Sequence, residues 1–326
     1  VRIATGSHAR RATPVAAATS LCTGSSVMGT TKTVAVVPSW NGRHLLERFL
    51  RSWLEQSLPF ARIVVVDNGS DDETASLIDE TGGAELLRLP RNLGFAGAVN
   101  RGVEAALADA EVDLVAVLNN DVSLDREWHR AGADAIELRP EYGSGATCVL
   151  RFDPPGVVES AGIGWDGGGI ACGLREGQPS PAVEEPPVEV WGASAAAALY
   201  RRELFESVGL FNESFFAYQE DVELAMRARR AGWRSVLAPA ARARHLGHGS
   251  NRRFPLGGTF ADYYNARNRL AALVTALPGS DWRRDWRKIL VAQLGLAAAS
   301  VSERRPGAVW AGVLHGLWRV PSSLAA

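Results

Sequence analysis

The chain has 326 residues, of which 46% are hydrophobic, and a formal net charge of −1 at pH 7, enough for one large domain with an appendage and an ordinary soluble composition. The near-zero charge supplies no global basic field, so nucleic acid is not an expected partner, and an anionic membrane would have to be met by a local patch. Three cysteines, Cys22, Cys148 and Cys172, lack metal-ligand spacing and suit the reduced thiols of a cytoplasmic protein.

Residues 1–30 show no apolar periodicity and read as a disordered leader. Their Val15 to Ala18 run is too short for a signal-peptide core, and Met28 is a candidate start. From Thr33, Val34 to Val37, Ile63 to Val66, Leu86 to Leu89 and Val112 to Leu118 read as strands. Leu45, Leu46, Phe49, Leu50 and Trp53 recur at helical spacing, and a second amphipathic segment spans Glu73 to Glu80. Strands alternating with helices imply a mostly parallel, doubly wound sheet, with the connections after each strand gathered at one edge, where such sheets bind ligands.

Asp153 to Pro187 is dense in Gly and Pro and reads as loops or an irregular hairpin covering the sheet edge. A strand is expected over Val188 to Leu199, then a helix near Arg201 to Val208. A firmer helix runs from Glu220 to Ala231, with Glu223 and Arg227 as an i,i+4 pair and Gly232 as its stop. A boundary near residue 280 separates this α/β domain, 31–280, from a helical C-terminal extension, 281–326. The extension's apolar runs, Ile289 to Val301 and Ala308 to Trp318, are each shorter than the roughly 20 residues a spanning helix needs. With Trp282, Trp286, Trp310 and Trp318 beside Arg283, Arg284, Arg287 and Arg304, the extension suits either peripheral membrane attachment or packing on the domain or on a second copy as a homodimer.

Asp67 ends a strand, where it can accept a hydrogen bond from a nucleobase N–H or simply form the Asp67-Asn68-Gly69-Ser70 turn. Asp121 closes Leu118-Asn119-Asn120-Asp121 and can bind a metal or cap. The Asn92 to Gly102 stretch is a glycine-spaced loop feeding a helix, able to present N–H groups to phosphate, although it is neither a Walker loop nor a dinucleotide fingerprint.

Five ordered motifs, Val37-Pro38-Ser39-Trp40-Asn41-Gly42, Asp67 to Ser70, Asn92 to Gly102, Leu118 to Asp121 and Phe215 to Leu224, resemble those of family 2 glycosyltransferases. These have the GT-A fold, a Rossmann-like α/β sheet flanked by helices, and the likeness is greatest to the bacterial rhamnosyltransferase-like branch. It spans about Thr33 to Leu270. The resemblance implies an inverting transferase that moves a sugar from a dTDP- or UDP-type nucleotide sugar to a glycan or lipid-linked acceptor, with Mg²⁺ or Mn²⁺ as cofactor, at the inner face of the cell membrane.

It further implies that Asp221 is the general base, since an acceptor hydroxyl becomes a good nucleophile only as its proton is removed. Asp121 and His245 are implied as metal contacts, with His248 a weaker match than His245. Asn119 stands where the family has its first motif Asp. Ser39, Asn41, Asp67, Asn68, Asn92, Gly94, Asn100, Asn119, Asn120 and Arg267 are implied on the nucleotide-sugar side, and Trp191, Gly192 and Glu220 on the acceptor side. Two rival readings are a sugar nucleotidyltransferase, which would want a Gly-rich loop with Arg and Lys after the first strand, and a non-catalytic glycan-binding protein on the same fold.

Overall fold

The computed structural model describes residues 31–180, 184–247 and 257–323; the leader and His248 lie outside them. In chain order the elements are β1 (Thr33–Ser39), α1 (Arg43–Leu54), β2 (Arg62–Asp67), α2 (Thr74–Thr81), β3 (Glu85–Arg88), α3 (Gly94–Leu107), β4 (Leu114–Leu118), β5 (Val122–Leu124), α4 (Trp128–Glu137) and β6 (Tyr142–Arg151). There follow β7 (Val158–Ser160), β8 (Ile163–Trp165), β9 (Ala171–Gly173), β10 (Val188–Val190), β11 (Ala197–Arg201), α5 (Arg202–Val208), α6 (Glu220–Arg230), β12 (Arg234–His245), α7 (Phe260–Thr275), α8 (Gly279–Ser302) and α9 (Pro306–Ser323).

The main sheet runs β10-β12-β6-β11-β4-β1-β2-β3. β1, β2, β3, β4, β6 and β12 share one direction, and β10 and β11 oppose it. The sheet is therefore mostly parallel, as expected, with an antiparallel insertion at β11. Both faces are covered, which is why the strands read as continuous apolar runs. Val34 and Val36 face one core with Val64, Val66 and the small residues of α3, while Ala35 and Val37 face the other with Leu46, Phe49 and Leu50 of α1. Each fully buried Leu or Phe contributes about 1.5–3 kcal/mol of transfer free energy.

Three elements depart from expectation. Only the first residues of the Asn92 to Gly102 stretch form a loop, and the rest is α3. Gly102 lets that helix lie on the sheet, because a Cβ there would come within 2.3 Å of Val36 Cγ1. The strand expected over Val188 to Leu199 is two strands, β10 and β11, on different neighbours, broken at Trp191-Gly192. Gly192 marks a close approach, since its Cβ would lie 2.8 Å from Ala225 Cβ. Finally, α7 was not expected, although a capping box opens it: the Thr259 hydroxyl accepts from Asp262 N at 3.2 Å, and Asp262 accepts from Thr259 N at 2.8 Å.

Other expectations hold. α2, α5 and α6 fall where the periodicity put them, and Glu223 and Arg227 pair at 2.8 Å. The Gly/Pro-rich stretch contains β7 on the sheet edge and a small β8-β9 hairpin.

Candidate active site

The connections after β1, β2, β3 and β4 form a polar cradle at the carboxyl edge of the sheet. Ser39 ends β1 and accepts from Asn120 Nδ2 at 2.9 Å. Asn41, in the left-handed region at φ 49°, donates its N–H to Ser70 Oγ at 2.9 Å and accepts from Asp71 N at 3.0 Å. Asp67 is 1% exposed; it accepts from Ser70 N at 2.9 Å, and Arg88 Nε lies 3.4 Å from its other oxygen. Its turn-forming role is thus real, and a base contact would have to share a carboxylate already engaged.

Asn68 donates to Asn92 Oδ1 at 3.1 Å and to Gly94 O at 3.0 Å, and it accepts from Leu93 N at 2.8 Å. Asn92 in turn accepts from Gly94 N at 2.8 Å. These bonds set the entry into α3. Gly94, at φ 78°, has room for no side chain because a Cβ would meet Phe216 O at 2.4 Å.

Two residues expected on the nucleotide side are turned inward. Asn100 donates to Phe211 O at 2.8 Å and accepts from Phe211 N at 3.0 Å, so it clamps the segment ahead of α6. Arg267 is 5% exposed, donates to Ser214 O and lies over the Tyr264 ring at 5.1 Å. On the acceptor side, Trp191 is stacked on Trp165 at 4.9 Å with the Arg229 guanidinium 5.7 Å from its ring centre, so the ring has packing partners of its own.

Past β4, Asp121 meets His245 from the end of β12, with Oδ1 3.0 Å from Nε2. The Asn119 carboxamide lies 3.3 Å from the same nitrogen. The other ring nitrogen, Nδ1, is 2.7 Å from Glu159 on β7, a residue the sequence did not single out because it lies in the Gly/Pro-rich stretch. Burial works against charge on His245, but hydrogen bonds and charges from Asp121 and Glu159 outweigh it and raise its pKa to about 10. Among the described residues there is no cluster of three or more His, Cys, Asp or Glu able to hold a metal.

The acidic pair Glu220-Asp221 opens α6. Asp221 accepts from Ala195 N at 3.1 Å and from its neighbour Val222 N at 2.8 Å. Burial raises its pKa, and those N–H groups together with the Ser194 hydroxyl oppose the rise. Glu220 has less help, from its own backbone N–H alone: Oε2 is buried and makes no hydrogen bond among the described residues, and burial, then the Asp221 charge, push its pKa up to about 8. Of the two, Glu220 therefore holds a proton more readily, and Asp221 is the carboxylate that backbone donors stabilise. Burial, and then the negative charge of the neighbouring acidic pair, raise the Tyr200 pKa well above its usual value.

The loop delivering this pair is strained. Phe216, Tyr218 and Gln219 all have φ between 66° and 69°, a costly region for non-glycine residues. Asn268 of α7 holds it, its two amide N–H groups shared among Phe215 O, Ala217 O and Tyr218 O, each 2.8–2.9 Å from Nδ2, while Gln219 Nε2 donates to Asn265 Oδ1 at 2.8 Å. Asn268 stands next to Arg267 in sequence, and only the tertiary contacts show that it is Asn268 that holds the loop. Asn268→Ala is expected to lower the melting temperature by several degrees, roughly the loss of about 1–3 kcal/mol from unsatisfied carbonyls, and to reduce turnover more than donor affinity. Thermal unfolding and steady-state kinetics check this.

Residues 34–209 match the family described as Glycosyl transferase family 2, and residues 185–317 match Glycosyl transferase family group 2. The chain is 32% identical over 266 residues to an N-acetylglucosaminyl-diphospho-decaprenol L-rhamnosyltransferase of Mycobacterium tuberculosis, covering 74% of this chain and 83% of that protein. Its fold is similar to that of S. aureus TarS 1-349 in complex with UDP, at 18% identity and TM-score 0.55 over 82% of this chain and 72% of the other. It is also similar to that of a mannosyltransferase from Pyrobaculum calidifontis in complex with GDP-Man and Mn²⁺, at 18% identity and TM-score 0.54 over 90% and 88%. These likenesses put the chain with GT-A glycosyltransferases. It belongs to glycosyltransferase family 2, as a rhamnosyltransferase-like glycosyltransferase of polysaccharide biosynthesis.

Proposed function

We infer that the chain transfers a sugar, with inversion, from a nucleoside-diphosphate sugar seated on the Ser39-Asp67-Asn92-Asn120 cradle to a hydroxyl of a lipid-linked glycan, at the inner face of the cell membrane. The observation that carries this reading is the acidic pair opening α6, where Asp221 accepts from Ala195 N and Val222 N while the buried Oε2 of Glu220 makes no hydrogen bond among the described residues. A carboxylate whose pKa burial raises and which N–H groups hold on one side is suited to take the acceptor's proton. Glu220, protonated beside it, keeps the net charge of this wall low. Asn268 and Asn100 fix the loop from which both acids project.

The residues at the end of β4 fit a divalent cation. Asp121 Oδ1 and His245 Nε2 lie 3.0 Å apart as an ion pair, and a cation bound between them would displace the ring proton to take both as ligands. Glu159 holds Nδ1 and so aims Nε2 at that point. Asp121 and His245 would hold the ion, with Asn119 alongside, and such ions take remaining positions from phosphate and water; the ion would supply positive charge to the departing diphosphate. Two protein donors rather than a cage make the expected site weak until nucleotide is present.

The relatives' names favour a deoxyhexosyl donor. A thermal-shift panel of dTDP, UDP, GDP and their sugars, with and without Mn²⁺, is expected to show the largest response to dTDP-rhamnose with metal, about 2.7 kcal/mol at 100 times the dissociation constant. A response to UDP- or GDP-sugars alone would replace rhamnose as the donor, and no nucleotide response at all would remove the cradle from the reading.

A further inference from the structure

The two C-terminal helices carry their apolar residues outward. On α8, Trp286, Leu290, Val291, Leu294 and Val301 are 49–69% exposed; at 100° per residue they fall within an arc of about 140°. The opposite side, with Asp285, Ile289 and Ser300, is buried. On α9, Trp310, Leu314, Leu317 and Trp318 are 45–77% exposed on one side, while Ala308, Val309, Gly312 and Gly316 face inward. Single exposed apolar residues are ordinary on a soluble protein, but contiguous helical faces of them are not.

The N-terminal part of the α8 face is basic. Arg283 and Arg287 are exposed, and neither forms an ion pair among the described residues. Arg287 lies 5.2 Å from the Trp286 ring centre. The nearby acid, Asp285, is buried and already paired with Arg284 and Lys288, so it does not offset these two charges. Apolar side chains with Trp among them, flanked by unpaired guanidinia on long stems, suit the boundary of a bilayer with anionic headgroups. No described helix is long and apolar enough to cross one.

This surface is continuous with the active site through an aromatic row. Phe216, in the loop that carries the acidic pair, stacks on Tyr264 at 5.5 Å; Tyr264 meets Tyr263 edge-on at 4.9 Å; Tyr263 hydrogen-bonds His315 of α9; and His315 lies 6.0 Å from Trp318. The rings from Phe216 to His315 are half-buried.

We propose that α8 and α9 are a docking surface for an anionic lipid bilayer, and that the aromatic row from Trp318 to Phe216 links that surface to the base, so that the acceptor is taken from the membrane. The second half of this statement rests on the reading of the acceptor as lipid-linked; the docking itself does not. The test sediments the full chain with phosphatidylcholine vesicles, with and without phosphatidylglycerol, at low and high salt. It also measures turnover on a vesicle-borne prenyl-linked acceptor and on a short, water-soluble analogue.

Expected are sedimentation with phosphatidylglycerol vesicles that weakens with salt, and at least about tenfold less of it in Leu290→Glu/Leu294→Glu. Turnover of that variant should fall on the vesicle-borne acceptor and stay unchanged on the soluble one. Arg283→Glu/Arg287→Glu, which alters exposed charge alone, should reproduce the loss of sedimentation if the first variant folds poorly. Turnover of the vesicle-borne acceptor without any sedimentation would overturn the docking surface and leave the acceptor reading standing. Sedimentation without turnover of either prenyl-linked acceptor would overturn the acceptor reading and leave the surface standing. A concentration-dependent dimer that Leu290→Glu/Leu294→Glu dissolves, with no vesicle binding, would assign the face to a second copy of the chain and overturn the proposal.

Discussion

Asp221→Asn is expected to bind donor as the wild type does and to lose on the order of 10²-fold or more in turnover at saturating donor. The substitution keeps the shape and can keep the bond from Ala195 N through its amide oxygen, so what it removes is basicity. Glu220→Gln is expected to be milder, because Glu220 already carries a proton at neutral pH. The same variant separates the two acids by stability. The folded pKa of Glu220 is raised from 4.5 to about 8, so between those values the folded chain binds more protons there than the unfolded chain, and wild-type stability falls as pH rises through the window. Glu220→Gln does not titrate. Its melting temperature should therefore gain on the wild type progressively from about pH 5 to about pH 8, with no gain below. Near-normal turnover in Asp221→Asn with collapse in Glu220→Gln would move the base by one residue, about 100° around α6.

Asp121→Ala is expected to abolish the metal enhancement of nucleotide binding while leaving the fold intact. Its Oδ1 is the anionic half of the two-donor arrangement with His245, and an imidazole alone binds Mg²⁺ or Mn²⁺ poorly. Glu159→Gln touches only the far nitrogen of His245 and should cost about 10- to 100-fold in Mn²⁺ affinity. Titration of the nucleotide complex followed by Mn²⁺ electron paramagnetic resonance reads both without relying on turnover. Unchanged Mn²⁺ dependence in Asp121→Ala would take Asp121 out of the site.

Much of the sheet was legible because its strands are buried on both faces. Val34 to Val37 and Ile63 to Val66 are continuous apolar runs for that reason, and the motifs after them follow from the parallel direction, which brings every connection to one edge. The acidic pair was equally legible, since acids in the first turn of a helix stand out in sequence. What local pattern could not supply was partnership. Asn100 and Arg267 are polar residues in the right motifs, yet each is spent on a backbone carbonyl a long way off in sequence. Glu159 pairs with His245, Ser194 lies by Asp221, and Asn268 holds the loop before α6, contacts that join distant parts of the chain.

The amino-acid sequence by itself determined the α/β class, the order of the motifs and the identity of the acids, because burial period and turn chemistry are local properties of the chain. The tertiary structure alone decided which acid keeps the proton, since that depends on the Ala195 N–H reaching Asp221 and on nothing reaching Glu220 Oε2 among the described residues. It also decided which side of α8 and α9 faces out. Their sequences are amphipathic either way round, and only packing against α7 and the Gly167-Gly168-Gly169 loop turns the small and buried residues inward and leaves the tryptophans and leucines in the open.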